Sequence, residues 1–224
     1  VERDYVKQLP TVADSIHETE STIVVSDSKI GWASAFRELI SLLYAGKVPK
    51  CDLTRIRPAG ARLKTFGGRA SGPEPLAELF NFTVDLFKSS AGRKLTSLEC
   101  HDLVCKIADV VVVGGVRRSA LISLSNVTDN RMSNAKNGEW YLTNGQRALA
   151  NNSAVYSEKP DFDTYVNEMK RLYESKSGER GIFSRVAAKN VAARNGRRDV
   201  DHKFGTNPCS EIILRPYQFC NLSE

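Results

Sequence analysis

Asn207-Pro208-Cys209-Ser210-Glu211, close to the end of the chain, is the stretch on which the reading turns. Proline at 208 disfavours helical geometry in the residue before it, so the cysteine is expected on an extended or turning segment. On an extended chain Cys209 and Glu211 would point to the same side. Asn207 adds an amide that both donates and accepts hydrogen bonds. Thiol, carboxylate and amide on one short loop make a compact set for radical or acid/base chemistry. A second cysteine, Cys220, follows eleven positions later. By itself the pentapeptide fits a buried structural cysteine beside a surface glutamate just as well, because most free cysteines are packed and inert.

Working outward from it, four more blocks stand out. They are Ile56-Arg57-Pro58-Ala59-Gly60-Ala61-Arg62-Leu63-Lys64-Thr65-Phe66-Gly67-Gly68-Arg69-Ala70-Ser71-Gly72-Pro73, Val113-Gly114-Gly115-Val116-Arg117-Arg118-Ser119-Ala120, Ala150-Asn151-Asn152-Ser153 and Ser177-Gly178-Glu179-Arg180-Gly181-Ile182. Together with the pentapeptide they resemble blocks of the ribonucleotide reductases, and they occur in that family's order from about Asp52 to Glu224. A single glycine-rich stretch is a weak signal; five blocks in order are a strong one. The eleven-residue step from Cys209 to Cys220 is most similar to the class II, adenosylcobalamin-dependent branch. Class I enzymes place that second cysteine farther away.

The resemblance implies a fold and a chemistry. The family has a ten-stranded α/β barrel made of two antiparallel five-stranded halves, with the radical cysteine on a finger loop inside. Residues 51–224 would then carry roughly the first half-barrel and the start of the finger, with 1–50 as a flanking segment holding one amphipathic helix. Cys209 would be the thiyl radical, generated with adenosylcobalamin. Glu211 would be the general base for the 3′-hydroxyl and Asn207 a positioning group. Cys220 would be one member of the dithiol that supplies two electrons and ends as a disulfide. The partner of Cys220 is expected outside this chain, and none of Cys51, Cys100 or Cys105 lies in a matching block. Cys220 packing structurally beside Phe219 and Leu222 is the alternative.

Two glycine-rich loops, Gly67-Gly68-Arg69 with Ser71, and Gly114-Gly115-Val116-Arg117-Arg118, resemble the loops that tie substrate choice to an allosteric nucleotide. Glycine lets backbone approach a ligand closely, and arginine can clamp phosphate. Glycines that only end helices and form turns are the competing reading for each loop. Asn151, Asn152 and Ser153 are candidates for the border of the sugar site, or for capping a strand end. Gly178-Glu179-Arg180-Gly181 departs from the family's Gly-Glu-Pro-Gly, and a scaffold role is expected there. The implied partners are a ribonucleotide di- or triphosphate, a deoxynucleotide effector and an external dithiol reductant such as thioredoxin.

Composition sets outer bounds. The chain has 224 residues, 41% hydrophobic and 26% charged, which is ordinary for a globular protein. No apolar run approaches the roughly 20 residues of a membrane span. Five cysteines without CxxC pairs fit neither a zinc site nor a secreted disulfide framework, so reduced thiols in a cytoplasmic compartment are expected. Cys100, His101 and Cys105 form the one grouping worth weighing for a metal. Cys105 falls on the apolar stripe of a helix, and no metal is expected. Val1-Glu2-Arg3-Asp4 shows no signal-peptide pattern, and Asn221-Leu222-Ser223-Glu224 stops within a family-like block, so a fragment is expected, catalytically silent alone. The net charge of +6 leaves a basic nucleic-acid-binding module as the alternative outside enzymology, with Arg194-Asn195-Gly196-Arg197-Arg198 and Arg117-Arg118 as its local support. No recognition motif accompanies them, and no nucleic-acid partner is expected.

Hydrophobic periodicity orders the chain. The first two dozen residues read as polar and irregular up to a short strand at 22–25. Ser26-Asp27-Ser28 caps a helix reaching about Ala45, with Trp32, Phe36, Leu39 and Leu43 on one face. Pro73-Glu74-Pro75 opens a second helix. Thr96 with Glu99 forms a capping box for a third. Ala120 to Leu124 reads as a strand buried on both faces, 152–156 as another, and Phe162 to Leu172 as a fourth helix. The last strands are expected at 212–214 and 219–222. Helices alternating with short apolar strands predict an α/β fold with a largely parallel sheet.

Overall fold

A computed structural model of the chain describes residues 3–63, 68–110, 112–113, 116–117, 119–194, 196 and 198–220. The chain divides after Ser119 into two compact units. In the first, α1 (Arg3–Gln8) precedes β1 (His17–Val24), α2 (Lys29–Tyr44) and β2 (Lys47–Asp52). These are followed by α3 (Glu74–Ser89), α4 (Ser97–Asp109) and a minimal antiparallel pair, β3 (Val112–Val113) with β4 (Val116–Arg117). β1 and β2 pair in parallel on either side of α2, a βαβ unit.

The local reasons are legible residue by residue. Ser28 caps α2, its side chain accepting from the Gly31 amide at 3.0 Å. Glycine is required at 31, because a Cβ there would stand 2.0 Å from Ser26 Oγ and 2.6 Å from its carbonyl oxygen. Ala35, Leu39 and Leu43, spaced by four, form the buried face of α2. Leu76, Leu79, Phe80 and Phe87 of α3 meet it, and Val12, Ile23 and Val25 complete the core. Tyr44 stands edge-on to Phe87 with centroids 4.9 Å apart. Thr96 and Glu99 form the expected capping box of α4.

One expectation for this unit is corrected. The first two dozen residues are not irregular: they hold α1 and an eight-residue strand. β1 reads HETESTIV and buries only Ile23, so its sequence carries no alternation; pairing with β2, a distant partner, makes it a strand. β2 escaped notice because it holds Pro49, which an edge strand tolerates.

The second unit begins with β5 (Leu121–Asn126), two single-turn helices α5 (Asn130–Ser133) and α6 (Trp140–Thr143), and a 3-10 turn (Gly145–Leu149). β6 (Ala150–Tyr156), α7 (Phe162–Ser175), β7 (Gly181–Ser184), α8 (Arg185–Ala193) and the two-residue strands β8 (Gly205–Thr206) and β9 (Ile213–Leu214) follow. β5, β6 and β7 form a parallel three-stranded sheet in that order, so β6 is central and buried at every position except Asn151. β5 was expected to be buried on both faces, but it is half-buried over most of its length. It is an edge, paired only with β6 among the described residues. Val155, Phe183, Ala188 and Phe204 make the core of this unit. β9 matches the strand expected at 212–214. At 219–222, Phe219 and Cys220 are irregular and the rest lies outside the described residues. The α/β class with parallel pairing is present; the described residues form small sheets rather than a closed barrel.

Candidate active site

β8 and β9 pair antiparallel, Gly205 with Leu214 and Thr206 with Ile213, and residues 207–212 form the loop between them. The quoted pentapeptide is therefore the tip of a small hairpin. Asn207 organises it. Its amide nitrogen donates to the Ile212 carbonyl at 3.3 Å, and its carbonyl accepts from Ser210 at 3.0 Å. Its side-chain Oδ1 accepts from the Ile212 amide at 3.1 Å, while Nδ2 donates to Glu211 Oε1 at 2.5 Å. Asn207 is buried, whereas Cys209 and Glu211 are exposed. Ser210 takes φ of +66°, so the chain turns here and the extended-strand argument that put Cys209 and Glu211 on one side does not apply. The carboxylate is brought in by the hydrogen bond to Asn207 instead. The loop is also tied to the sheet: Asn151 Nδ2 donates to the Pro208 carbonyl at 2.8 Å.

Of the other candidates in this unit, Asn152 is buried and its Oδ1 has no hydrogen-bond partner among the described residues. Strand alternation puts it on the face opposite Asn151. Ser153 is buried against β7: a Cβ at Gly181 would lie 3.0 Å from its Oγ. None of the three caps a strand end, since all lie within β6. Cys220 is half-buried with a free thiol, and Phe219 beside it is 78% exposed.

Beneath the loop lies a polar network that no local pattern announced. Lys136, 6% exposed, donates to the Ala150 carbonyl at 2.5 Å and to Glu179 Oε1 at 2.8 Å. Glu179 Oε2 accepts from the Asn152 amide at 2.7 Å. Arg180, the next residue, is buried against Glu168, with Nε–Oε1 at 2.7 Å and Nη2–Oε2 at 3.0 Å. It also donates to Ser125 Oγ and to the Asn126 and Val127 carbonyls. Every donor of this guanidinium's fork is engaged inside the unit, joining α7 to the end of β5. Lys136 and Glu179 are 43 residues apart and Glu168 and Arg180 twelve, so sequence spacing offered no signal.

In the first unit, Gly68, Arg69 and Ser71 belong to a ladder-like loop: Leu63 and Ala70 amides donate to the Gly68 and Ala61 carbonyls, and Gly60 to Ala70. Gly68 and Gly72 have φ of +97° and +82°. Arg69 Nη1 donates to the Gly60 carbonyl at 3.0 Å. A cavity of about 390 Å³ opens here, lined among others by Lys29, Trp32, Arg57, Arg69 and Ser71. Arg57 is held by Asp27 at 2.7 Å. Gly67, Gly114, Gly115 and Arg118 lie outside the described residues, as do the side chains of Val116 and Arg117.

Cys105 is fully buried on α4, with Sγ 3.6 Å from His101 Nε2, whereas Cys100 is exposed. Burial pushes the Cys100 thiol up, with Glu99 adding to it. Among the described residues no three His, Cys, Asp or Glu side chains converge on a metal position.

Residues 5–86 match the family model described as the B12-dependent ribonucleotide reductase insertion domain. The adenosylcobalamin-dependent ribonucleoside-triphosphate reductase of Lacticaseibacillus paracasei is 35% identical over 208 residues, 88% of this chain and 27% of that protein. The chain is similar over most of its length to B12-dependent ribonucleotide reductases. The enzyme of the same name from Lactobacillus delbrueckii subsp. bulgaricus is also 35% identical, over 95% of this chain and 29% of its own length. The chain thus spans under a third of these reductases. A crystal structure of a B12-dependent, class II ribonucleotide reductase superposes with a TM-score of 0.71 over 95% of the chain and 34% of that structure, at 23% identity, a likeness of fold.

Proposed function

We propose that this chain carries the radical-cysteine loop of a class II reductase that converts ribonucleoside triphosphates to 2′-deoxyribonucleotides. The observation that carries this reading is the hairpin tip, where Asn207 holds the Glu211 carboxylate at 2.5 Å and leaves Cys209 exposed between them. The relatives' names supply the triphosphate and the cofactor. An exposed thiol at a loop tip fits adenosylcobalamin, which when bound supplies the radical that takes the thiol hydrogen atom.

The remaining steps fall to the chain's own residues. The Cys209 thiyl removes the hydrogen atom from C3′ while Glu211 accepts the 3′-hydroxyl proton. The 2′-hydroxyl then departs as water, taking its proton from a dithiol. One thiol of the pair formed by Cys220 and a thiol outside this chain then gives a hydrogen atom to C2′, and the remaining electron passes to the C3′ ketone as Glu211 returns its proton, so the two sulfurs join as a disulfide. Cys209 returns its hydrogen atom to C3′, so sulfur is a carrier and the net change is one dithiol oxidised per hydroxyl removed. Asn207 uses both ends of its amide within the loop, and its contribution is to hold Glu211 and the turn.

The cavity beside Arg57, Arg69 and Ser71 suits a deoxynucleotide effector, with cations for phosphate and Trp32 for base stacking. Both units would form part of the family's ten-stranded barrel and its attached insertion domain. No disulfide joins the described cysteines, which fits a reducing cytoplasm and an external dithiol such as thioredoxin. No described helix is long and apolar enough to cross a membrane. The test is ribonucleotide reduction by the full-length protein with a dithiol reductant. Turnover should require adenosylcobalamin and no second protein. Turnover indifferent to the cobalamin but dependent on a partner radical protein would contradict class II.

A further inference from the structure

We infer that Lys136 and Glu179 are positioning residues for the Cys209 loop, acting through Asn151. The inference rests on the reading of Cys209 given above. It starts from a mismatch in the sheet. The β6–β7 ladder begins at Ser153 and Gly181, so Ala150, Asn151 and Asn152 extend past it without a β7 partner. An unpaired stretch of this kind in a buried central strand would leave backbone groups unsatisfied.

Side chains replace the missing rungs. Lys136 takes the Ala150 carbonyl, Glu179 takes the Asn152 amide, and the two ions meet each other at 2.8 Å. Ala150 and Asn152 flank Asn151, the residue whose Nδ2 donates to the Pro208 carbonyl. On its other edge Asn151 lies in register with Ile122 of β5. The backbone of Asn151 is therefore fixed from both sides, and its side chain reaches the carbonyl of the residue covalently joined to Cys209. Lys136 is 6% exposed and Glu179 16%, so both contacts are charge-assisted and shielded from water. A buried ion pair is weak support for stability as such and better suited to fixing one geometry out of several.

Hydrogen-atom transfer from a sugar is sensitive to placement; an error of about 1 Å can cost about 100-fold in rate. The test uses the full-length reductase and separates kcat from KM for Asn151→Ala, Glu179→Gln and the double variant. Thermal melting of each variant serves as the control for fold. Asn151→Ala is expected to lower kcat roughly 10- to 100-fold with KM little changed. Glu179→Gln keeps the side-chain shape, weakens the Lys136 contact, and should lower kcat in the same way. Because both act along one route, the double variant should lose no more than the worse single one.

Wild-type kcat in Asn151→Ala would overturn the inference. So would multiplicative losses in the double variant, or losses that only track a fall in melting temperature. Cys209→Ser serves as the reference. Turnover persisting there would remove the reading of Cys209, and the inference with it. An inactive Cys209→Ser beside a fully active Asn151→Ala would remove the inference alone.

Discussion

The Glu211 carboxylate and the Asn207 amide that holds it are four residues apart, and the loop between them carries the thiol. This explains why thiol, carboxylate and amide were readable as one group from a pentapeptide: they are contiguous, and a turn suffices to gather them, while the roles proposed for them rest on the resemblance to the reductases. What the sequence did not show was the means, since alternation along an extended chain is replaced by the turn at Ser210. The motif marks Asn151 as a candidate for the border of the sugar site, but its reach to Pro208 depends on a contact across 57 residues. The geometry makes a specific demand of Glu211. Glu211→Gln keeps an oxygen to accept from Asn207 and removes the base, so the fold should survive. In the full-length enzyme kcat should fall by about 10² to 10⁴, checked by steady-state assay beside a melting curve.

The helices show how far local rules carry. Ser28, Thr96 with Glu99, and Asp161 all act as the N-terminal caps their residue types suggest, because capping is settled within three residues. β2, β7 and α8 were not legible, and β1 only at its C-terminal end, since short strands depend on distant partners and α8 is only nine residues long. The α4 cap has a measurable consequence. Arg93 holds Glu99 through two hydrogen bonds of 2.8 and 2.6 Å, and together with Thr96 it lowers the Glu99 carboxyl from 4.5 to about 2. A carboxyl lowered in the folded state stabilises fully above its ordinary value, and that contribution is lost as pH falls through the folded one. Denaturation midpoints should therefore decline as pH drops from about 4.5 towards 2, and Glu99→Gln should flatten that limb. An unchanged acid limb in Glu99→Gln would show that the pair contributes nothing.

On the scale of the molecule, charge was the least informative feature. The excess of +6 suggested polyanions, yet Arg180 is buried against Glu168, Arg57 is paired with Asp27, and Arg198 donates to the Ile213 carbonyl beside the hairpin. Of these, Arg180 alone is buried, and a buried cation adds nothing to a polynucleotide surface. The order of five sequence blocks was far more informative, because it reports a whole architecture of which this chain spans 27% of one relative's length. The insertion-domain match over residues 5–86 came only from comparison, since β1 and β2 leave too little periodicity to mark a domain. The central claim is that Cys209 takes a hydrogen atom from C3′. Its most direct test is turnover of a ribonucleotide deuterated at C3′ by the full-length enzyme and by its Cys209→Ser variant. A normal isotope effect on kcat/KM in the wild type, with no turnover in the variant, is the expected result. Deoxynucleotide formation by Cys209→Ser would contradict it.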